Sequence, residues 1–403
     1  MHHPNLFIIT LLLVFFSSCS NDIETTLSIP ADSSMESLSK KLTISEAKDI
    51  AINAYRDFFQ NDVTRSQNSQ DVSFEDWFCV TSDIDADTLM YVINFADNMG
   101  FALISPNRSE EPLAIVEKGH YNPSKTTGIP NFDYYIQQLK QSCIERFYQN
   151  NVTLSRAPIS SGEGEIVGEI TAGPYCEVNW GQTGIYGAYC PNGIAGCNNT
   201  TLAQILSIFE VPGAFDLTFN DSERLELNWS AIKKHNKGNS CETHSRDVHN
   251  SIAKIMRELG YRSGSTYKQN STSTYNDNSA YQLIQLGFNV QKDEYSDKFI
   301  LGSIPPNGLG EKGAVIISAR DSVEGRHMWM IDGYRNIIKR YTHQLVNPGL
   351  GPGLESEPTY ETFHYNHYNW GWDGNYNGYF ISGNYRCGSL NLNKDQIFYS
   401  VSL

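Results

Sequence analysis

Four polar side chains with complementary chemistry lie in the second half of the chain: Gln182, Cys197, His327 and Asn369. Thiol catalysis needs a sulfur held as thiolate, a histidine that shares its proton, a polar group that fixes the imidazole, and donors facing the oxyanion. In this reading Cys197 is the nucleophile, His327 the base, and Asn369 the residue that orients the imidazole. Gln182 supplies a side-chain N–H to the oxyanion beside the backbone N–H of Cys197. This set predicts acyl-transfer chemistry on a carbonyl group.

Cys197 stands where a helix is predicted to begin. A glycine-rich approach over residues 191–196 leads into it. The apolar face of the helix repeats at i, i+3, i+4 and i+7, through Leu202, Ile205, Leu206 and Phe209. Unpaired N–H groups and the positive end of the helix dipole favour a thiolate at such a position, so we expect a lowered thiol pKa. A lone cysteine is more often an inert core residue, so the interpretation depends on the motifs downstream.

Three further motifs carry a family resemblance. They are Trp180-Gly181-Gln182, then His327 with Asp332-Gly333 shortly after it, then Asn369-Trp370-Gly371-Trp372-Asp373-Gly374. With Gly196-Cys197, their order resembles that of papain-like cysteine peptidases. The local motifs resemble the streptopain family of bacterial cysteine peptidases, peptidase family C10, over about 157–403 and more weakly over 43–148. The resemblance implies that Trp370 covers the Asn–His hydrogen bond, although the same ring also suits core packing.

The chain departs from that family pattern beside both reactive residues. Asn198, Asn199 and Thr201 stand where the family has small apolar residues, and Arg326 and Met328 flank the histidine in place of small residues. Asn and Thr are tolerated in the first turn of a helix. A positive charge at Arg326 would favour the thiolate, whereas its bulk would narrow the cleft.

Composition argues against several classes of function. The formal net charge is −15 and no Lys/Arg cluster occurs, so we do not expect the protein to bind nucleic acid. The eight cysteines show no CxxC pattern and indicate no disulfide framework, although a Cys176–Cys190 pair stays open. The spacing of His364 and His367 is only weakly typical of metal ligands, so no metal or cofactor is predicted.

The first residues are typical of an export signal. Residues 7–16 form an apolar run too short to span a bilayer, and Ser17-Ser18-Cys19 follows. This ending resembles a bacterial lipobox, in which Cys19 would carry a lipid anchor in the outer membrane. The leader lacks Lys and Arg and has Phe16 where Leu is usual, so an ordinary signal peptide is the alternative. Either reading predicts a secreted or cell-surface protein.

The domain prediction has three parts: a signal or lipobox at 1–19, a propeptide at 20–155, and a peptidase domain at 156–403. The propeptide has a polar tether and a small α+β domain at about 43–148. A capping box formed by Thr43 and Glu46 starts its first helix. Its other predicted elements are strands at 89–95, 101–105 and 113–116 and a helix at 131–148. The alternative is a permanent accessory domain. Residues 150–169 read as a cleavable linker, with Arg156 as a candidate cut.

The peptidase domain reads as helices followed by strands. A helix at 246–259, ended by Gly260, precedes a polar surface excursion at 261–280. Strands are predicted at 314–318, 328–334 and 378–381, with a loop at 345–358. The fold class is therefore α+β, and the resemblance implies a papain-like domain with a helical lobe and an antiparallel sheet lobe.

Three functions follow from these residues. The first is a secreted cysteine endopeptidase made as a zymogen, with protein or peptide substrates and its own propeptide as inhibitor. The second is an inactive surface binding protein that keeps the fold, suggested by Asn198, Asn199 and Arg326. The third is acyl transfer to an amine through the same residues.

Overall fold

A large antiparallel sheet connects the two halves of the chain. The computed structural model describes residues 41–60, 72–83, 87–107, 111–153, 164–236, 245–320, 326–342, 357–382 and 396–403. The described residues belong to one compact unit, Lys40–Leu403. The predicted signal, Cys19, Arg156, the middle of the predicted linker (154–163) and nearly all of the 345–358 loop lie outside the described residues.

The residues that we call the N-terminal segment, 41–153, begin with the predicted capping box. Glu46 N donates to Thr43 Oγ1 at 3.4 Å, and Thr43 N donates to Glu46 Oε2 at 2.8 Å, so two backbone donors at the helix start are satisfied. The elements of this segment are α1 (Ile44–Phe59), β1 (Phe74–Thr81), β2 (Thr88–Phe95), β3 (Phe101–Ile104), β4 (Ala114–Val116) and α2 (Pro130–Thr153). Only β1 was not predicted.

The remaining residues contain most of the helices first and the longest strands afterwards. The helices are α3 (Cys197–Phe209), α4 (Trp229–Asn236), α5 (Ser245–Arg262), α6 (Asn276–Gln285) and α7 (Asp297–Ser303). The strands are β5 (Glu165–Ala172), β6 (Ala214–Leu217), β7 (Glu223–Glu226), β8 (Thr266–Lys268), β9 (Ser271–Ser273), β10 (Asn289–Asp293), β11 (Ala314–Arg320), β12 (Arg326–Tyr341), β13 (Thr359–Asn369), β14 (Gly378–Ser382) and β15 (Ile397–Ser402). The predicted α+β class is confirmed.

The sheet joins the N-terminal segment to the later strands. Its order is β1-β2-β3-β4-β14-β13-β12-β11-β15-β10, with β5 paired to β12. The junction is antiparallel, with Ala114 opposite Phe380 and Val116 opposite Gly378. Hairpins β6-β7 and β8-β9 lie outside the sheet.

Alternation along β12 separates two hydrophobic cores. Met328 and Met330 pack with α3 and α5 in a helical core, whereas Trp329 and Ile331 face a second core. That second core includes side chains from β2, β3, β4 and α2, so the N-terminal segment and the sheet lobe share it. A third core lies under α1, on the other face of β2 and β3. Among the described helices, none is both long and apolar enough to cross a membrane.

The structure adds secondary structure to two predicted connecting segments and moves the end of one predicted helix. The linker prediction at 150–169 overlaps the end of α2 and most of β5, which is held to β12 by the ion pair of Glu169 with Arg335 at 2.9 Å. The excursion at 261–280 contains the β8-β9 hairpin and the start of α6. Helix α5 runs past Gly260 to Arg262, and a Cβ at Gly260 would collide with the Tyr267 hydroxyl. That glycine therefore serves close packing rather than helix termination.

Candidate active site

Cys197 is the first residue of α3, as the pattern predicted. Gly196 precedes it with φ of 88°, a conformation that favours glycine. The first turn closes when Thr200 N donates to Gly196 O at 3.1 Å. Thr200 Oγ1 also donates to Gly181 O at 3.2 Å, which fastens the helix start to the stretch that contains Gln182.

Burial is the main influence on the pKa of the Cys197 thiol. Burial raises its pKa, and hydrogen bonds from the backbone of Met328, Asn198 and Cys197 itself act in the opposite direction. The predicted lowering of this pKa was wrong for the described conformation, because loss of solvation outweighs the polar environment of the helix start. The sulfur donates a hydrogen bond to Asn198 Oδ1 at 3.5 Å.

Gln182 lies close to the nucleophile in the fold. Its backbone carbonyl accepts a hydrogen bond from Ala195 N at 2.7 Å, two residues before Cys197. The side chain is 8% exposed, and no described residue accepts a hydrogen bond from Nε2. A buried N–H without an acceptor costs about 1–3 kcal/mol, so its presence needs an explanation. An oxyanion that arrives only during reaction would use this donor.

His327 is the second residue of β12 and pairs with Ala319 on β11. The next residue, Met328, brings the backbone of β12 within hydrogen-bonding reach of the Cys197 sulfur. Thr201 Oγ1 strengthens this junction by donating to Met328 O at 3.4 Å. The fold therefore brings the start of α3 and the start of β12 together.

The Asn369 amide is bonded to α3 rather than to the histidine. This buried residue ends β13, opposite Met330 of β12. Its Oδ1 accepts from Gln204 Nε2 at 3.0 Å and from Gly371 N at 3.1 Å, and its Nδ2 donates to Val178 O at 3.4 Å. Within the described part of the chain, none of its hydrogen bonds goes to His327. The described conformation thus lacks the Asn–His arrangement that the sequence predicts.

Trp370 is fully buried in the core shared with the N-terminal segment. Its ring lies 5.3 Å from that of Trp329, two residues after His327 on the same face of β12. Phe132 and Tyr135 of α2 pack against it at 6.0 and 6.1 Å. Its Nε1 donates to Tyr376 O at 2.7 Å. In this conformation Trp370 is a core residue, held partly by α2.

The N-terminal segment is also hydrogen-bonded to residues 370–377, which we call the Trp370 loop. Glu117 N donates to Asn377 O at 2.8 Å, and Tyr376 N donates to Lys118 O at 2.9 Å. Lys118 Nζ donates to Asp373 O at 3.0 Å. The segment therefore fixes the loop that directly follows Asn369.

One buried ionic group was missed by the sequence analysis. His367 Nδ1 lies 2.6 Å from Asp332 Oδ1, and His367 Nε2 lies 3.1 Å from Glu117 Oε1. Burial alone lowers the pKa of His367, but the charges and hydrogen bonds of Asp332 and Glu117 prevail and raise it to about 10. The Asp-Gly motif after His327 was a signal for Asp332, but nothing local pointed to Glu117.

The remaining polar residues have structural partners. Arg326 Nη1 donates to Ser318 O at 3.2 Å. Cys176 and Cys190 are both free thiols, so the pairing left open by the sequence is not formed. Within the residues that the structure describes, no group of three or more His, Cys, Asp or Glu side chains is arranged to hold a metal ion.

Comparison with protein-family models agrees with the motifs. The model of the peptidase C10 family matches residues 180–380, a span that contains all five predicted site residues. A structure of a Prevotella intermedia prointerpain A fragment, mutated from Cys to Ala at one position, is 16% identical, with a TM-score of 0.49 over 81% of this chain and 98% of that one. Active wild-type interpain A cysteine protease from the same organism is 17% identical, with a TM-score of 0.34 over 60% of this chain and 98% of that one. No curated protein sequence matches. The chain belongs to the peptidase C10 family, a family of cysteine-type peptidases.

Proposed function

We propose that this protein is a secreted cysteine endopeptidase made as a zymogen, which hydrolyses peptide bonds through Cys197 and His327. Cys197 attacks the peptide carbonyl, and His327 takes the thiol proton and gives it to the leaving amine. Gln182 Nε2 and the backbone N–H of Cys197 stabilise the oxyanion, and water then releases the acyl group. Asn369 orients the imidazole in the processed enzyme, with Trp370 beside it.

The main support for this proposal is the contact between the start of α3 and the start of β12, close to the Gln182 Nε2 donor. The Cys197 sulfur lies against the backbone of Met328, the direct neighbour of His327. The Gln182 side chain is buried near the same helix start without an acceptor for Nε2 among the described residues. A structural cysteine at a helix start would not explain that donor.

The zymogen part of the proposal rests on the contacts of the N-terminal segment. It bonds to the Trp370 loop through Glu117 and Lys118, and α2 packs against the Trp370 ring. While these contacts persist, the Asn369 amide stays with Gln204. Cleavage between 153 and 164, for which Arg156 is a candidate site, allows the segment to leave. Asn369 and His327 then pair.

The test is intact mass spectrometry of the purified chain during incubation. The wild type should lose its N-terminal segment, whereas Cys197→Ala and His327→Ala should stay full length. Processing of Cys197→Ala at the wild-type rate, in a preparation free of other peptidases, would contradict self-cleavage. Casein hydrolysis by the processed wild type then tests the endopeptidase activity separately.

The export prediction leads to a separate proposal, a lipid anchor at Cys19 that holds the protein at the outer membrane. Expression in a bacterial host with a labelled fatty acid tests it. Wild type should take up label and Cys19→Ser should not. Unlabelled wild-type protein, found in the medium with a cut leader, would favour the ordinary signal peptide instead.

One observation favours the second function, an inactive surface binding protein that keeps the fold. The sulfur donates to Asn198 and the Asn369 amide bonds to Gln204, so neither of these two bonds is made to His327. In that case removal of the N-terminal segment by an added protease would yield no hydrolysis of casein or peptides at any pH. Wild type and Cys197→Ala would then behave alike.

A further inference from the structure

Asn198, the residue after the nucleophile, presents a carbonyl oxygen to the sulfur of Cys197. The thiol donates to Asn198 Oδ1 at 3.5 Å. Asn198 is 6% exposed, so bulk water competes little for this contact. An acceptor in this position stabilises S–H and opposes the negative charge of a thiolate.

Polar side chains behind Asn198 determine which end of its amide faces the sulfur. Nδ2 donates to Ser279 Oγ at 3.0 Å and to Asn276 Oδ1 at 3.3 Å. Asn276 offers its Oδ1 because its own Nδ2 donates to Ser318 Oγ at 2.8 Å. The Ser279 hydroxyl donates to a backbone carbonyl four residues earlier at 3.4 Å, which leaves it free to accept. With Nδ2 committed to these acceptors, Oδ1 faces the thiol.

This network connects separate elements around the nucleophile. Asn198 lies in the first turn of α3, Asn276 and Ser279 in the first turn of α6, and Ser318 on β11. Ser318 and Ser279 are fully buried. Ser318 is the register partner of Met328, whose backbone contacts the sulfur from β12. The amide is thus held by two side chains of α6, one of which is fixed in turn by Ser318 of β11, and turning it would leave buried polar groups without partners.

We propose that Asn198 is a positioning residue that holds the Cys197 side chain as a protonated thiol in the zymogen. The inference deepens the proposed function and rests on it, since it assigns a control on the same nucleophile. Burial, which raises the pKa of Cys197, acts in the same direction. The imidazole of His327 must outcompete this acceptor when the active pair forms. Burial and the hydrogen bond to Asn198 therefore both oppose premature reaction of the sulfur in the zymogen.

Two substitutions should move the thiol pKa in opposite directions. Asn198→Leu keeps the branching at Cγ and removes the acceptor, so the pKa should fall by roughly half a unit to one unit. Asn198→Asp keeps the shape and places a second negative charge beside the sulfur, so the pKa should rise by about one unit or more. The opposite signs make the proposal testable even when one variant fails to fold.

The experiment measures alkylation of the full-length chain by iodoacetamide across pH. The thiolate sulfur forms a bond to the reagent's methylene carbon as iodide leaves. Because the chain has eight cysteines, the adduct at Cys197 is quantified by peptide mass spectrometry. The pKa is taken from the midpoint of the rate profile, which does not depend on the nucleophilicity of each variant.

Asn199→Leu is the matched control. Asn199 is also buried in the first turn of α3, and it donates to Ala195 O at 2.8 Å and to Ser265 Oγ at 3.1 Å, without a bond to the sulfur. Its substitution should leave the Cys197 pKa unchanged. Two results would overturn the proposal: Asn198 variants within about 0.2 pKa units of wild type, or a shift in Asn199→Leu equal to that in Asn198→Leu.

The readout separates this proposal from the peptidase assignment, because alkylation requires no peptide hydrolysis. The predicted pKa shifts in a chain that never cleaves casein would support the role of Asn198 and reject the peptidase. Casein cleavage without those pKa shifts would support the peptidase assignment and reject the role of Asn198.

Discussion

The His367 imidazolium lies between two carboxylates, and replacing it should destabilise the folded chain in a pH-dependent way. Burial opposes its charge, but Asp332 and Glu117 raise its pKa from an ordinary 6.5 to about 10. At about 1.4 kcal/mol per pKa unit, this difference corresponds to roughly 5 kcal/mol of folding free energy. Removing one partner of a buried ion pair typically costs about 3–5 kcal/mol, a figure of the same size.

The direction of the pH effect follows from proton binding. Because the folded pKa is raised, the stabilisation is complete below about pH 6.5 and is lost as pH rises through about 10. Between these values the folded wild type binds one proton more than the unfolded chain. Its advantage over His367→Gln should be about 3 kcal/mol at pH 7.5 and about 1 kcal/mol at pH 9.5.

The assay is urea unfolding followed by tryptophan fluorescence, in a Cys197→Ala background that prevents self-cleavage. His364→Gln is the control on the same strand. It removes a bond to Asn336 Oδ1 at 2.8 Å but leaves the pair of His367 with Asp332 intact. A difference between wild type and His367→Gln that stays constant from pH 7.5 to 9.5 would refute the reasoning, since a neutral histidine would then give the same contacts.

Three further substitutions test the site and its support. Gln182→Ala should lower kcat of the processed enzyme about 10²–10³-fold with little change in KM, because only the oxyanion uses its N–H; a rise in KM alone would contradict this role. Gln204→Leu should lower the free energy of unfolding, measured by urea titration, by about 1–3 kcal/mol, because Asn369 Oδ1 loses a donor at 3.0 Å. Unchanged stability would show that this bond is dispensable. Trp370→Ala should cost the zymogen about 3–5 kcal/mol in the same titration, and a loss below about 1 kcal/mol would be inconsistent with its burial in the core.

Local features were predicted well where the deciding interactions are close in sequence. The Thr43–Glu46 capping box fixes the start of α1 through bonds only three residues apart. Helix α3 begins at Cys197 because Gly196, with a positive φ of 88°, precedes it and an apolar run follows. Such signals are contained in a short window, so the sequence alone carries them.

The site geometry was less predictable because distant residues determine it. The contact of Glu117 with His367 joins residues 250 positions apart, and no local pattern encodes that pairing. The Cys197 pKa was mispredicted for the same reason. The helix start is visible in the sequence, whereas the burial that raises the pKa depends on the tertiary fold around the sulfur. Asn369 was read as the partner of His327, but Gln204 on α3 holds its amide in the described conformation.

Pairing with a distant strand explains why residues 165–169 resemble a linker in the sequence. Glu165 and Glu169 make β5 polar and most of its residues are exposed, but both carboxylates pair with arginines of β12. Strand formation here depends on a partner strand about 170 residues later, which composition does not reveal.

The central claim is that Cys197 is a nucleophile activated by His327. The most direct measurement is covalent labelling of the processed chain with a thiol-reactive peptide inhibitor, with the adduct mapped and residual casein hydrolysis recorded. We expect one label per molecule, on Cys197, with activity lost in proportion and with labelling greatly slowed in His327→Ala. Labelling on another cysteine, or full casein hydrolysis by a chain labelled at Cys197, would contradict it.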